Sequence, residues 1–291
     1  MAATAFATAR ASYTPAQTSG RNGSIDYLRF VGSIGIIWFH LHLPGAEIGL
    51  AALPMFVALF VCFGVGKDVA SLNRRLLYPW LLWSVIFGLA KVAQAMVTGA
   101  PIGSEFEWWM LLAGPAIHLW FLPFSYLFVL LANQMHRQTW GAVSVILVPC
   151  SIWLTETGLP HPFAQWVTVI PAACMGLALN HFGPPSRQAH VLGWGSVAIA
   201  VLMMIAGRET VALQYALGIS AVLLAFTVQM RATRVSRLLS EISFGVYLLH
   251  PLIFALVLLL PLGGIEMQAG VVILGSVVGT SILRRVTPAL V

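Results

Sequence analysis

Charge is what this chain has least of. Fifteen basic and nine acidic residues make up 8% of its 291 positions, against roughly 25% in a typical soluble domain, which excludes an ordinary water-soluble globule. Cysteine is scarce too. Cys62, Cys150 and Cys174 stand in apolar stretches with no CxxC spacing and no even count, so no disulfide framework is encoded and all three read as small core residues. HExxH and GxSxG are both missing, which removes the sequence case for zinc and for a serine nucleophile elbow. The first 24 residues hold no apolar segment of signal-peptide length. They are expected to be a mobile cytoplasmic tail, with the first membrane helix as an uncleaved anchor.

What the chain does have is apolar length: 59% of it is hydrophobic. A bilayer span takes about 20 mainly apolar residues, and ten candidate runs stand out, at 25–43, 48–66, 76–97, 118–134, 140–155, 163–181, 191–207, 211–230, 243–260 and 268–283. Pro54, Pro123, Pro149, Pro171 and Pro251 fall inside runs, where packing against neighbouring helices tolerates a kink. No fixed-period repeat is visible. The pattern predicts an all-α, polytopic membrane helix bundle of about ten spans, with residues 25–291 as a single transmembrane domain.

The basic residues test that count. With ten crossings and a cytoplasmic tail, every Lys and Arg except Lys91 and Arg208 falls on inner segments, as the positive-inside rule requires. Both termini are therefore expected in the cytoplasm. The net charge of +6 reflects this one-sided placement, and no nucleic-acid partner is read from it. The longest outer connection, residues 98–117, carries Glu105, Glu107, Trp108 and Trp109. It suits an interfacial aromatic belt and equally the lip of an outward carbohydrate site.

Ionisable groups at membrane depth are costly and mark functional sites by default. Arg29 and His40 lie eleven residues apart on the first run; eleven steps of ~100° overshoot three turns by only ~20°, with a rise of roughly 16 Å. Both face one way, a cation near the inner end and a potential base well towards the outside. Taken singly, Arg29 suits snorkelling beside Asp26 and His40 suits a hydrogen-bonded core histidine. Ser243, Tyr247 and His250 in SFGVYLLHP occupy i, i+4 and i+7, one helical stripe, fit for catalysis or for an interhelical polar cluster. Arg74 and Arg75 precede the third run, where they satisfy the inside charge bias and also suit phosphate. HLWFLP places His118 and Trp120 at the outer start of the fourth run.

These motifs, IDYLRFVGSIGIIWFH with Asp26, Arg29 and His40 in register, then Arg74 and Arg75 ahead of Pro79, HLWFLP and SFGVYLLHP, follow in an order that resembles membrane-bound acyltransferase family three over almost the whole chain. Phe30 departs from it, standing where a small glycine is common. The resemblance implies transfer of an acetyl or other short acyl group from acyl-CoA to a hydroxyl of a cell-surface or lipid-linked carbohydrate, at the bacterial inner membrane and in contact with polysaccharide biosynthesis machinery. It implies acetyl-CoA as donor substrate and no permanently bound cofactor. Arg29 with Arg74 or Arg75 would hold the donor phosphates and His40 would act as general base. His250 with Tyr247 would orient the reacting groups or stabilise the oxyanion, and His118, Trp120, Tyr247 and Ser243 would meet substrate. An acyl-histidine intermediate and direct transfer both stay open.

Two rivals use the same residues. A transporter or flippase for a lipid-linked sugar would line its path with these charges, although no matched pair of Gly/Pro-broken helices marks two halves. A structural membrane subunit would use them as interhelical glue, a costly choice against Ser or Thr. Ligand-dependent thermal stabilisation separates enzyme from carrier. CoA or acetyl-CoA is expected to raise the melting temperature of the purified protein, and a carrier would show no such response.

Overall fold

The computed structural model describes residues 20–135, 147, 150, 159–184, 186–207 and 209–287. Its long elements are all helices: α1 (Gly23–His40), α2 (Ala46–Gly64), α3 (Val69–Thr98), α4 (Ile117–Gln134), α5 (Phe163–Phe182), α6 (Arg187–Ile205), α7 (Glu209–Thr227), α8 (Arg234–Val257) and α9 (Ile265–Val286). Seven of them, α2 to α6 with α8 and α9, are long and apolar enough to cross a bilayer. The chain is a membrane-embedded, multi-pass helical bundle. All of the expected span at 140–155 except residues 147 and 150, and the first 19 residues of the expected tail, lie outside the described residues.

Helix starts follow capping chemistry more closely than apolar periodicity. Asn22 accepts the Ser24 N–H at 2.9 Å and opens α1 two residues ahead of the expected run. Thr233 and Ser236 form a reciprocal capping box that opens α8 at Arg234, not at 243, because polar basic turns extend a helix beyond its apolar part. Ser186 caps α6 by accepting the Ala189 N–H at 3.1 Å. Within α3, residues Asn73–Leu77 form a π-helical turn.

The core is built around α2. Val57, Ala58 and Val61 are fully buried. A Cβ on Gly176 would stand 2.5 Å from the Ala58 carbonyl oxygen, and one on Gly218 would stand 2.4 Å from that of Ala51. Helices α5 and α7 thus lie directly on the α2 backbone, the close approach that small residues allow between membrane helices. Half or more of the apolar window is buried in α2, α4, α5 and α8 (56% each), whereas α3, α6 and α9 bury 22% and form the periphery. Their exposed faces are apolar, with Leu81, Val85 and Leu89 on α3 and Val201 and Leu202 on α6, a surface suited to lipid.

One end of the bundle is stitched by polar contacts. Gly23 N–H donates to the Met230 carbonyl at 2.9 Å, and the Asn22 amide donates to the Ala225 carbonyl at 2.8 Å. Asn180 bonds the Cys62 carbonyl at 2.7 Å. Glu241 on α8 meets Arg284 of α9 at 2.6 Å and Arg21 at 3.9 Å. Lys67, Arg74, Arg75, Arg187, Arg231 and Arg234 sit on the segments that converge here, so the basic residues gather at one end.

Replacing Gly218 with leucine forces α7 off α2 and is expected to cost about 1–3 kcal/mol, a drop of several degrees in melting temperature measured in detergent. Gly195→Leu, at a position with nothing within 4 Å of the added carbon, should leave the transition in place.

Candidate functional site

Helices α1 and α8 run parallel, and two polar contacts join them at different heights. Near their starts the Arg29 Nη1 donates to Ser240 Oγ at 3.1 Å. Eleven residues along α1 and ten along α8, the rings of His40 and His250 lie 5.2 Å apart between centroids. Arg29 and His40 therefore share a face, as their spacing predicts, and that face is turned on α8. His118, from the first turn of α4, joins them with its ring 5.6 Å from His250. It is 5% exposed, well inside the protein and not at the outer surface where the sequence placed it. Tyr247 completes the group, 5.6 Å from the His118 ring and 6.1 Å from that of His250.

The backbone of α8 sets the state of His250. Proline carries no N–H, so Pro251 leaves the carbonyl four residues earlier, that of Tyr247, without its helical donor. The Nδ1 of His250 lies 2.7 Å from that carbonyl oxygen. A carbonyl only accepts, so Nδ1 carries the proton and Nε2 is left with a lone pair. That Nε2 is buried with no hydrogen-bond partner among the protein groups, and so is Nε2 of His118. The Tyr247 hydroxyl in turn donates to the His118 carbonyl, which ties α8 to the start of α4. With both protons committed to carbonyls, neither Tyr247 nor neutral His250 donates to an oxyanion in this arrangement. The His250 Nε2 is left as a free acceptor beside the other rings.

A cavity, partly open to the outside, adjoins this cluster. Arg29, Lys67 and Arg75 border it, Phe56, Leu59, Phe60 and Phe63 of α2 form its apolar wall, and Phe121, Ser243 and Tyr247 line it as well. The histidines are not in its lining. Tyr247 stands between cavity and imidazoles, its ring 6.0 Å from Phe121 and 6.4 Å from Phe56. The other charges acting on the Arg29 guanidinium are Asp26, Arg21 and Arg75, and Asp26 is itself held by Arg21 at 2.8 Å.

Arg74 and Arg75 separate here. Both are exposed, but only Arg75 borders the cavity, carried there on the π-helical turn that Tyr126 pins by donating to Asn73 Oδ1 at 2.7 Å. Ser243 lines the cavity and donates to the Ser240 carbonyl at 2.8 Å. Trp120 packs against Phe121 and Phe124 in the core and is not part of the lining. Lys67 is the residue that sequence reasoning missed, because the inside bias of positive charge accounted for it. In the connection between α3 and α4 the Trp109 indole N–H donates to Glu107 at 2.9 Å and Lys91 meets Glu105 at 3.8 Å, so both carboxylates already have partners. Among the described residues no group of three or more His, Cys, Asp or Glu is arranged to hold a metal ion.

No protein-family model, curated protein or solved structure matches this chain.

Pro251→Ala restores an N–H for the Tyr247 carbonyl and releases His250. Imidazole ¹⁵N spectra of histidine-labelled protein should show His250 held as the Nδ1–H tautomer in the native chain and as a tautomer mixture in the variant.

Proposed function

We propose that the chain is an acyl-CoA-dependent O-acyltransferase of the inner membrane that moves an acetyl or other short acyl group to a hydroxyl of a cell-surface or lipid-linked carbohydrate. The observation that carries this reading is the join of two unlike regions. A cation-bordered, Phe-lined cavity ends on Tyr247, directly beside three clustered histidines. A donor of matching form has anionic phosphates at one end, a flexible arm, and a reactive acyl group at the other, which is the layout of acyl-CoA. The motif resemblance to membrane-bound acyltransferase family three points to the same chemistry.

In this reading the basic end of the bundle faces the cytoplasm with both termini, the chain crosses ten times, and CoA enters from the side on which it is made. Arg29 and Arg75 hold the diphosphate by charge-assisted hydrogen bonds. The aromatic wall keeps water from the thioester. His40 takes the proton from the acceptor hydroxyl as its oxygen attacks the thioester carbonyl, with the lone-pair Nε2 of His250 beside it to accept a hydrogen bond from a neighbouring hydroxyl of the sugar. Collapse of the tetrahedral adduct breaks the C–S bond, forms the ester, and returns the proton to the departing CoA sulfur. His118 and Tyr247 fix the position of the His250 ring, and Ser243 borders the arm. The acceptor reaches the histidines from the outer half of the bundle, where polysaccharide-building machinery would deliver it.

Transfer of labelled acetyl from acetyl-CoA in membranes tests this directly. His40→Ala is expected to cut the rate by about 10²–10⁴-fold while CoA still binds; undiminished transfer would remove the proposed base. Arg75→Ala should weaken CoA binding, and Arg74→Ala should not.

A further inference from the structure

Of the three cations that border the cavity, only Arg29 has a protein partner, Ser240. Lys67 and Arg75 have no ion pair among the described residues. The carboxylate next in sequence does not neutralise the lysine, because Asp68 caps the following turn by accepting the Ser71 N–H at 2.7 Å. Lys67 is nonetheless held in place. It follows the end of α2, and Asn133 of α4 clamps its loop, accepting the Gly66 N–H at 2.8 Å and donating to the Lys67 carbonyl at 3.3 Å.

The cations also differ in setting. Arg29 lies within the α1–α8 seam and is half-buried, whereas Lys67 is exposed in a loop beyond the end of its helix. A diphosphate occupies two cations. A third, held on the loop beyond the end of α2, calls for a third anion besides the diphosphate. In CoA the group so placed is the 3′-phosphate, which hangs from the ribose on the far side of the diphosphate from the thiol. Resting on the acyl-CoA reading above, we infer that Lys67 reads the 3′-phosphate of the donor and makes the site selective for 3′-phosphorylated CoA thioesters over dephosphorylated ones. A lysine ammonium, a compact point charge, suits a terminal phosphate that needs no planar pairing.

Binding of CoA and of dephospho-CoA to the full chain in phosphatidylcholine nanodiscs, measured by calorimetry, decides it. The native protein is expected to bind CoA roughly tenfold more tightly, the scale of one charge-assisted contact. Lys67→Ala should lower CoA affinity to that of dephospho-CoA and leave the latter unchanged, Lys67→Arg should keep the preference, and Arg75→Ala should weaken both ligands together. Equal affinity of the native protein for both, or equal weakening of both by Lys67→Ala, overturns the assignment and leaves the acyl-CoA reading standing. Binding of neither ligand overturns both. Loss of the native preference in phosphatidylglycerol nanodiscs would assign Lys67 to lipid headgroups and likewise overturn it.

Discussion

Polar groups inside an apolar bundle must find partners within it, and the seam between α1 and α8 is where this chain answers that demand. Arg29 reaches Ser240 at one height and His40 meets His250 at another. Those two contacts fix the relative height of the helices. Several short hydroxyls elsewhere bond within their own helix: Ser33 donates to the Phe30 carbonyl, Thr168 to Ala164 and Ser281 to Val277, the back-bonding that such side chains favour. Such residues cost the bundle little and carry no information between helices. The guanidinium does, because its hydrogen bond is to another helix, and the imidazoles do by meeting ring to ring across helices.

The cavity and the histidine cluster complement one another in polarity. Three cations border a cavity whose walls are otherwise mostly apolar. Tyr247 belongs to both regions, with one edge in the cavity lining and its hydroxyl on the backbone of His118. Any ligand that fills the cavity therefore presses on the residue that spaces the imidazoles.

Much of this was legible in the sequence. The apolar runs mark the long helices, and eleven steps of ~100° align Arg29 with His40. What stayed hidden follows from long-range geometry. His118 and His250 are 132 positions apart in the chain, and nothing local says that α4 begins against α8. The start of α8 was masked because its first turns are basic and exposed, so a capping box, not periodicity, defines it. The tautomer of His250 was written in the dipeptide His250–Pro251, yet it becomes readable only once the helix is known to continue through the proline. Lys67 and Arg74 obey the same charge rule, and only the cavity tells them apart.

Parallel pairing of α1 and α8 makes the seam a ruler with coarse graduations. Its length is set by backbone rise, ~1.5 Å per residue, while each residue also rotates the chain by ~100°. Inserting a single residue between Arg29 and His40 would scarcely change their separation but would swing the imidazole out of the seam. Its graduations can be moved only in near-whole turns made in both helices at once, so the separation of the guanidinium from the imidazole is locked to the helical repeat itself.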